Sequence, residues 1–326
     1  MILLLSQPFD HSTNKVIDWL GYFDAEYVRI PLHPTKSLSF CSASIGERSS
    51  DVLFRDADME IALSDISSVW FRGGDLINME EASMKEFGET DIGKASAEFL
   101  TWEWTSMNSW FNGLPMTKRH LGNPFLYETN KLMVLEKAKA VGLSVPVTRI
   151  FSKREDISAF FEECNGNMIS KAIYNSFNFK RDNELYAHPT LKVALDNINR
   201  LPDKIGPSLF QQEIEKKIDL RICVVGDQVF CGAIFSQSNP KTRTDFRVYD
   251  HARPNRIVPF NLPDIIAKKI FGLMKSLNLN FGLIDMVLST DDEYYFLEVN
   301  PIGQFDSLSV GCNFPIERTI AEYLVG

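Results

Sequence analysis

The sequence predicts an α/β protein with α+β elements, on three observations. Short apolar runs alternate with amphipathic helical stretches through the N-terminal third. The C-terminal third carries two strand pairs that read as hairpins, turning at Gly226-Asp227 and near Asp291-Asp292. No internal repeat or low-complexity tract interrupts this pattern, so the chain reads as compact packed units.

Taken in order, "MILLLS" is a first buried strand. "STNKVIDWLGYF" follows as a helix capped by Ser12 or Thr13, with Val16, Ile17, Leu20 and Phe23 on its inner side. "EYVRIPL" is a second strand, and "SDISSVWFRGGD" ends a third at Arg72 and two glycines. In the helix "ASAEFLTWEWTSMNSWFNGL", Phe99, Trp102, Ser106 and Trp110 recur at helical spacing and are expected in the core. Glycine, proline and basic residues in "GLPMTKRHLGNP" break the periodicity. The expected units are 1–118, an N-terminal α/β domain; 119–203, a small central domain; and 204–326, a C-terminal antiparallel-sheet domain.

The central unit opens with "ETNKLMVLEKAKAVGLSVPVT", a helix capped by Thr129 or Asn130. Leu132, Leu135 and Ala138 line one side, and Gly142 and Pro146 end it. "NMISKAIY" is a short strand carrying Lys171. "SLFQQEIEKKIDLRICVVGDQVFCGAIF" gives a strand, a connection and a hairpin. "PDIIAKKIFGLMKSLNL" is a helix with Ile265, Ile266, Ile270 and Leu273 inward, and "FGLIDMVLSTDDEYYFLEVN" is the last hairpin.

The 326 residues, 44% hydrophobic and 24% charged, suffice for several packed units and a large core. A net charge of -9 argues against nonspecific nucleic-acid or anionic-membrane binding. "MILLLSQPFD" lacks a basic start and a long apolar run, so it does not read as a signal peptide, and no stretch is long enough to span a membrane. Cys41, Cys164, Cys223, Cys231 and Cys312 show no CxxC spacing and read as free thiols of a reducing cytoplasm. The five histidines are scattered and read as surface or structural residues.

The stretch "YYFLEVNPIGQFD" places Glu298 and Asn300 at the end of an apolar strand. With an even-length loop centred on Asp291-Asp292, Asp285 lies directly opposite Glu298 and Asn300 faces the same way. Two carboxylates so close repel unless a cation lies between them. Three oxygen donors on one face suit a hard divalent ion, magnesium above all, which shares phosphate oxygens. The plainer alternative is a solvent-facing acidic pair on an edge hairpin.

Charged residues also enter apolar elements elsewhere. Lys131 sits in the first turn of its helix, where the macrodipole disfavours a lysine by about 0.3–1 kcal/mol and a phosphate would reverse that. Lys171 lies between Ile169 and Ile173, and Arg221 enters the strand "DLRICVV". There is no GxxxxGK[ST], no GxGxxG opening a helix, no GxSxG and no HExxH, which removes P-loop, dinucleotide-binding, serine-hydrolase and zincin chemistries.

From about residue 119 to 326 the sequence resembles the ATP-grasp ligases. More closely, it resembles the branch that crosslinks ribosomal precursor peptides, the microviridin and grasp-with-spasm (graspetide) synthetases. The resemblance rests on Lys131 in "ETNKLMVLEKAKAVGLSVP", Lys171 in "ISKAI", "QQEIEKKIDLRICVVGDQVF", "KTRTDFR", "GLIDMVL" and "FLEVNPIGQF", in that order. It implies an ATP-grasp fold, ATP and Mg2+ as cofactors, and Lys131 and Lys171 on the ATP phosphates. It further implies an adenine hinge at Gln212, Glu213 and Ile214, with Glu215 or Asp219 near the ribose. Arg221 would stabilise the transferring phosphoryl group, and Arg243 and Arg247 would lie near the phosphates or the acyl phosphate. Asp285, Glu298 and Asn300 would hold magnesium, and Arg72 would project from the N-terminal domain toward the substrate carboxylate. The segment after Lys171, "AIYNSFNFKRDNELY", lacks the glycines many relatives carry there, and no residue in it is assigned.

The implied reaction activates Asp or Glu side chains of a precursor peptide as acyl phosphates and joins them to Thr, Ser or Lys as esters or amides. A leader segment of that peptide is the expected partner, with the "VFCGAIF" region as one docking site, and a homodimer is implied. The alternatives are a ligase adding a free amino acid to a small acid or protein terminus, and a silent nucleotide- or peptide-binding module.

Overall fold

The computed structural model describes the chain apart from residues 8, 32–38, 47–49, 57–58, 74–89, 127–128, 175–177, 182–183, 188–189 and 249. Its first strand, β1 (Ile2–Ser6), is buried along its whole length. It sits between two parallel neighbours, which is why an unbroken apolar run serves there better than an alternating one. Helix α1 (His11–Tyr22) follows, capped by Asp10, whose carboxylate accepts from the backbone N–H of Ser12 and Thr13. The cap is therefore two to three residues earlier than the sequence suggested; Ser12 and Thr13 are buried inside the first turn. Val16 and Leu20 are fully buried, and burial of each such side chain contributes about 1.5–3 kcal/mol.

Strand β2 (Tyr27–Pro31), a meander of β3 (Ser39–Ile45), β4 (Ser50–Asp56) and β5 (Met59–Ala62), and β6 (Ser68–Arg72) come next. Helix α2 (Asp91–Gly113) and β7 (Arg119–Leu121) complete this region. The first sheet has the order β2-β1-β6-β7, all parallel. On α2 the expected core stripe is split: Phe99 and Trp102 are 55% and 61% exposed and Ser106 is exposed, whereas Trp110 packs against the core. Phe111 is the buried aromatic, with Trp104, Met107 and Trp110 packed around it, so the inward stripe is rotated from the expected one.

Helix α3 (Lys131–Ala140) is capped by Asn130. Next come β8 (Thr148–Lys153), α4 (Arg154–Glu163), β9 (Met168–Lys171), the hairpin β10 (Asn178–Arg181)–β11 (Glu184–Ala187), β12 (Leu191–Lys192), α5 (Leu195–Asn199) and β13 (Lys204–Gln212). The glycine-free segment after Lys171 thus contains an antiparallel hairpin. The second main sheet has the order β12-β9-β13-β8. Strand β13, which the sequence reading set at the start of the C-terminal unit, is hydrogen-bonded between β8 and β9. Sheet membership therefore changes at residues 213–215, and β7 belongs to the first sheet.

The last region holds β14 (Lys216–Val225), β15 (Gln228–Ile234), β16 (Ile257–Pro259), α6 (Asp264–Ser276), β17 (Phe281–Ser289), β18 (Tyr294–Asn300), α7 (Asp306–Cys312) and α8 (Ile316–Val325). Its antiparallel sheet runs β16-β15-β14-β17-β18. β14 and β15 turn at Gly226-Asp227, with Gly226 at a φ of +59°. Alternation along the strands feeds two cores. Ile222, Val224, Ile284 and Met286 meet α3 and α6, where Ile266, Ile270 and Leu273 are buried as expected but Ile265 is exposed and Met274 takes the inner place. Cys223, Val225, Phe281 and Leu283 meet α7, α8 and α1 on the other face, joining the N-terminal region to this sheet. Cys164, Cys223, Cys231 and Cys312 are free and buried, and burial pushes the Cys223 and Cys231 thiols up to about 12. Among the described residues no helix is long and apolar enough to cross a membrane.

Candidate active site

A row of charged side chains crosses three adjacent strands. Arg221 on β14 pairs with Asp285 on β17, and Asp285 pairs with Glu298 on β18. The Arg221 Nη1 donates to Asp285 Oδ1 at 2.7 Å, and its Nη2 donates to the Gln304 carbonyl at 3.1 Å. Arg247 reaches in from the connection between β15 and β16. Its guanidinium pairs with Glu298 Oε1, lies 3.9 Å from Asp285 Oδ2, and forms a two-pronged contact with Asp245 at 2.8 and 2.9 Å.

These contacts separate the two carboxylates electrostatically. Burial pushes the Asp285 carboxyl above the usual range, with Arg221 opposing and Glu298 reinforcing the shift. Burial alone would also raise Glu298, but Arg247, Lys171 and Lys131 together hold it below the usual range. Asp245 likewise lies low: burial opposes this, and its bonds to Arg247 prevail.

Both sequence-predicted lysines converge here. Lys131, first residue of α3, donates to the carbonyls of Ala172 at 3.0 Å and Tyr174 at 2.5 Å. Burial lowers the pKa of Lys171, Glu298 raises it, and Lys131 and Arg247 lower it further. Burial also lowers Lys131. Four cations thus meet three carboxylates, Asp245, Asp285 and Glu298, leaving net positive charge to be offset by an incoming anion.

The row borders a pocket of about 70 Å³ lined by Lys171, Lys216, Asp245, Arg247, Asp285 and Glu298, among others. Beside it a cleft of about 550 Å³ opens between the second and third main sheets. Its walls include Ile169, Val287 and Leu297, and its rim follows Gln212, Glu213, Ile214, Glu215 and Lys216. Gln212 N–H donates to the Val147 carbonyl, Glu213 N–H to that of Asn167, and the Glu215 carbonyl accepts from Thr290. Among the described residues no backbone hydrogen bond engages Ile214, whose N–H and C=O stay available at the rim. Arg243 lines this cleft, not the small pocket.

Three sequence expectations meet a different geometry. Arg72 does not project toward a substrate: its side chain is 0% exposed. The Nε lies 3.0 Å from Asp10, Nη1 donates to the Gly303 carbonyl at 2.8 Å, and the rings of Trp70, Phe281 and Phe305 surround it. Asp219 is buried, with one oxygen on Lys216 Nζ at 2.6 Å and the other accepting from Ser236, so neither faces the cleft rim. The edge of β15 near Ala233 is covered by β16, so that part of the "VFCGAIF" strand offers no free edge.

Asn300 lies on β18 two residues past Glu298, exposed, with its side-chain oxygen accepting from Ile302 N–H at 3.1 Å. Among the described residues no group of three or more His, Cys, Asp or Glu gathers as a metal site. The donor set still suits a hard cation: two directly opposed carboxylates already hold a guanidinium between them, and an amide oxygen stands one alternation along. Sequence reasoning missed Lys216, Asp245 and Lys192, which pairs with Glu213 at 2.6 Å. Lys216 had a signal, an ammonium three residues before an acid at the mouth of an apolar strand; Asp245 stands two residues before Arg247.

A family model for the RimK-like ATP-grasp domain matches residues 128–324, and the chain belongs to that family. Its fold is that of an ATP-grasp ligase. Among solved structures it is similar to the RiPP-associated ATP-grasp ligase of Chryseobacterium gregarium, in complex with ADP and a leader and core peptide. That likeness has 26% identity, a TM-score of 0.82, and coverage of 99% of this chain and 96% of the other. It is similar to the macrocyclase MdnC bound with precursor peptide MdnA from Microcystis aeruginosa MRC, at 25% identity, TM-score 0.78 and 99% coverage of both chains. The macrocyclase MdnB of the same organism, at 24% identity and TM-score 0.73 over 99% of this chain and 98% of that one, shares the fold. A comparison with curated protein sequences finds no match.

Proposed function

We propose that the protein is an ATP-dependent ligase that crosslinks side chains within a ribosomal precursor peptide, with ATP and Mg2+ as its cofactors. The observation that carries this reading is the Arg221–Asp285–Glu298 row, set at the inner end of a cleft between two sheets and ringed by Lys131, Lys171 and Arg247. The peptide-bound ligases with which the chain aligns over nearly its full length support the substrate class.

In this reading Gln212, Glu213 and Ile214 hold the adenine, Ile214 through its free backbone groups, and Glu215 lies near the ribose. Asp219 acts on Lys216 and not on the ribose. Lys131 and Lys171 take the phosphates, while Asp285, Glu298 and Asn300 hold magnesium. When bound, magnesium supplies positive charge shared between these oxygens and the phosphates. Arg221 and Arg247 face the transferring phosphoryl group, with Arg243 nearer the cleft mouth.

A carboxylate is a poor electrophile because its charge repels nucleophiles and oxide is a poor leaving group. Transfer of the γ-phosphoryl group to an Asp or Glu side chain of the peptide gives an acyl phosphate and ADP. A Thr or Ser hydroxyl, or a Lys amine, then attacks the acyl carbon, and phosphate leaves with the bonding pair. Both reacting groups belong to one peptide, which removes an encounter cost from the second step. A leader segment of that peptide is the partner that brings it to the enzyme. The resemblance to the peptide-crosslinking ligases implies a homodimer in a reducing cytoplasm, and the net charge of -9 disfavours a nucleic-acid or anionic-membrane partner.

Incubation with ATP, Mg2+ and a precursor peptide, read by mass spectrometry, tests this. Crosslinking removes one water per ring. Gain of a free amino acid's mass would instead assign a RimK-type addition, and peptide-independent silence across cognate candidates would leave only a binding module.

A further inference from the structure

Lys216 opens β14 with its side chain only 9% exposed. Its Nζ contacts Asp219 Oδ1 at 2.6 Å and the Thr244 carbonyl at 3.3 Å. The other Asp219 oxygen accepts from Ser236 Oγ. One buried ion pair therefore touches both ends of segment 236–244, the part of the chain that delivers Arg243, Asp245 and Arg247. That segment has little apolar anchoring. It is folded by polar bonds: Thr242 Oγ1 donates to the Ser236 carbonyl at 3.0 Å and is 2.9 Å from Asn255 Oδ1, and Asn239 Nδ2 donates to Asp250 at 2.9 Å.

We propose that Lys216 is a positioning residue: with Asp219 it pins the arm 236–247 so that Arg247 and Asp245 meet the Asp285–Glu298 pair. The inference rests on the ligase reading for its consequence, but the pinning itself is a property of the free protein. Two features argue for this role over a solvated lysine. The pair is almost wholly removed from water, where an unmatched charge is costly, so both members must be present together. The ties also reach the arm at Ser236 and Thr244, on either side of Arg243 and just before Asp245, so loss of either would free the arginine arm while leaving β14 paired with β15 and β17.

The test is amide hydrogen exchange of the nucleotide-free protein. In Lys216→Met, amides of 238–248 should exchange about tenfold faster, while those of β14 and β17 keep their protection. The single-turnover rate of ADP formation with peptide should fall roughly a hundredfold, the scale of a catalytic group displaced by about 1 Å, and ADP affinity should fall only together with the faster exchange, because Arg243 on the freed arm lines the cleft. Lys216→Arg should restore both. Ser236→Ala, which removes one tie and no charge, should show the same local loosening to a smaller degree and serves if Lys216→Met does not fold. Unchanged exchange in 238–248 would overturn the proposal. So would loss of ADP affinity with normal exchange, which would make Lys216 a direct nucleotide contact. Because exchange needs no catalysis, faster exchange in a protein inactive toward peptides would leave the pin standing and overturn only the ligase reading.

Discussion

Asp285 and Glu298 face each other in direct register across β17 and β18 only because two irregularities cancel. The pair that closes the hairpin is Leu288 with Tyr294, which leaves an odd number of residues, 289–293, between them. That spacing alone would place Leu297 opposite Asp285. A bulge between Met286 and Asp285 inserts one extra residue in β18 and brings Glu298 into place. The even-length loop assumed from the sequence is absent, yet the pairing deduced from it is present.

Asp285→Asn and Glu298→Gln should each lower the rate of ADP formation by about 10²- to 10³-fold, the scale of losing one preorganised charge at a transition state. Asp285→Asn should change the melting temperature little, because burial and Glu298 already disfavour that charge, whereas Glu298→Gln should lower it, because Arg247, Lys171 and Lys131 favour the Glu298 carboxylate. Peptide-dependent ADP release together with thermal unfolding checks this. Full activity in either variant would remove the metal-site assignment.

Arg247 occupies the space in which a divalent ion would meet the two carboxylates, joined to Glu298 and 3.9 Å from Asp285. In the nucleotide-free protein a cation must therefore compete with a guanidinium already in place. Arg247→Ala should bind Mn2+ without nucleotide about tenfold more tightly than the unmodified protein, a gain of about 1.4 kcal/mol. Titration of free Mn2+ by electron paramagnetic resonance reads this directly. Equal affinities would mean that Arg247 and the metal do not share a position.

Lys171 predicts a pH dependence whose sign can be worked out. Burial lowers its pKa in the free protein, and a bound phosphate would raise it. Nucleotide affinity is therefore constant below the free-state pKa, where the ammonium is already formed. It falls as pH rises past that value, beginning below the 10.5 of an ordinary lysine. Lys171→Arg should carry the plateau to higher pH, because a guanidinium keeps its proton there. Calorimetric ADP binding across the alkaline range, on protein shown folded by circular dichroism, measures both curves.

Much of this site was legible because charge inside apolar strands is locally conspicuous. Lys171 and Arg221 stood out against Ile169, Ile173 and the valines after Cys223, and Glu298 against Phe296 and Val299. Asn130 as the cap of α3 followed from short polar side chains competing for free N–H groups. What failed depended on distant partners. The stripe at Phe99 and Trp102 had helical periodicity, but periodicity does not say which side of a helix meets a neighbour. Asp219 carried the expected charge, and its partner Lys216 stands only three residues before it, but Ser236 arrives through the β14–β15 hairpin. On α6 the stripe of Ile266, Ile270 and Leu273 widens to Met274 on one side and leaves Ile265 outside it.

Arg72 illustrates the same limit and yields the last prediction. Its sequence context, a strand end before two glycines, suggested a side chain presented to a ligand. In the fold β6 lies between β1 and β7, and α1 brings its capping residue Asp10 against the guanidinium. The same guanidinium reaches the Gly303 carbonyl, while Arg221 holds that of Gln304 from the other side. Arg72 therefore couples the N-terminal sheet to the loop that follows Asn300. Arg72→Met should destabilise the protein by about 3–5 kcal/mol, because Asp10 would remain buried without its partner. Asp10→Ala in the same chain should recover part of that loss, although it also removes a helix cap worth about 1 kcal/mol. Urea unfolding of the two single variants and the double variant measures the coupling. A stable Arg72→Met protein that has lost only activity would return Arg72 to the substrate side of the site.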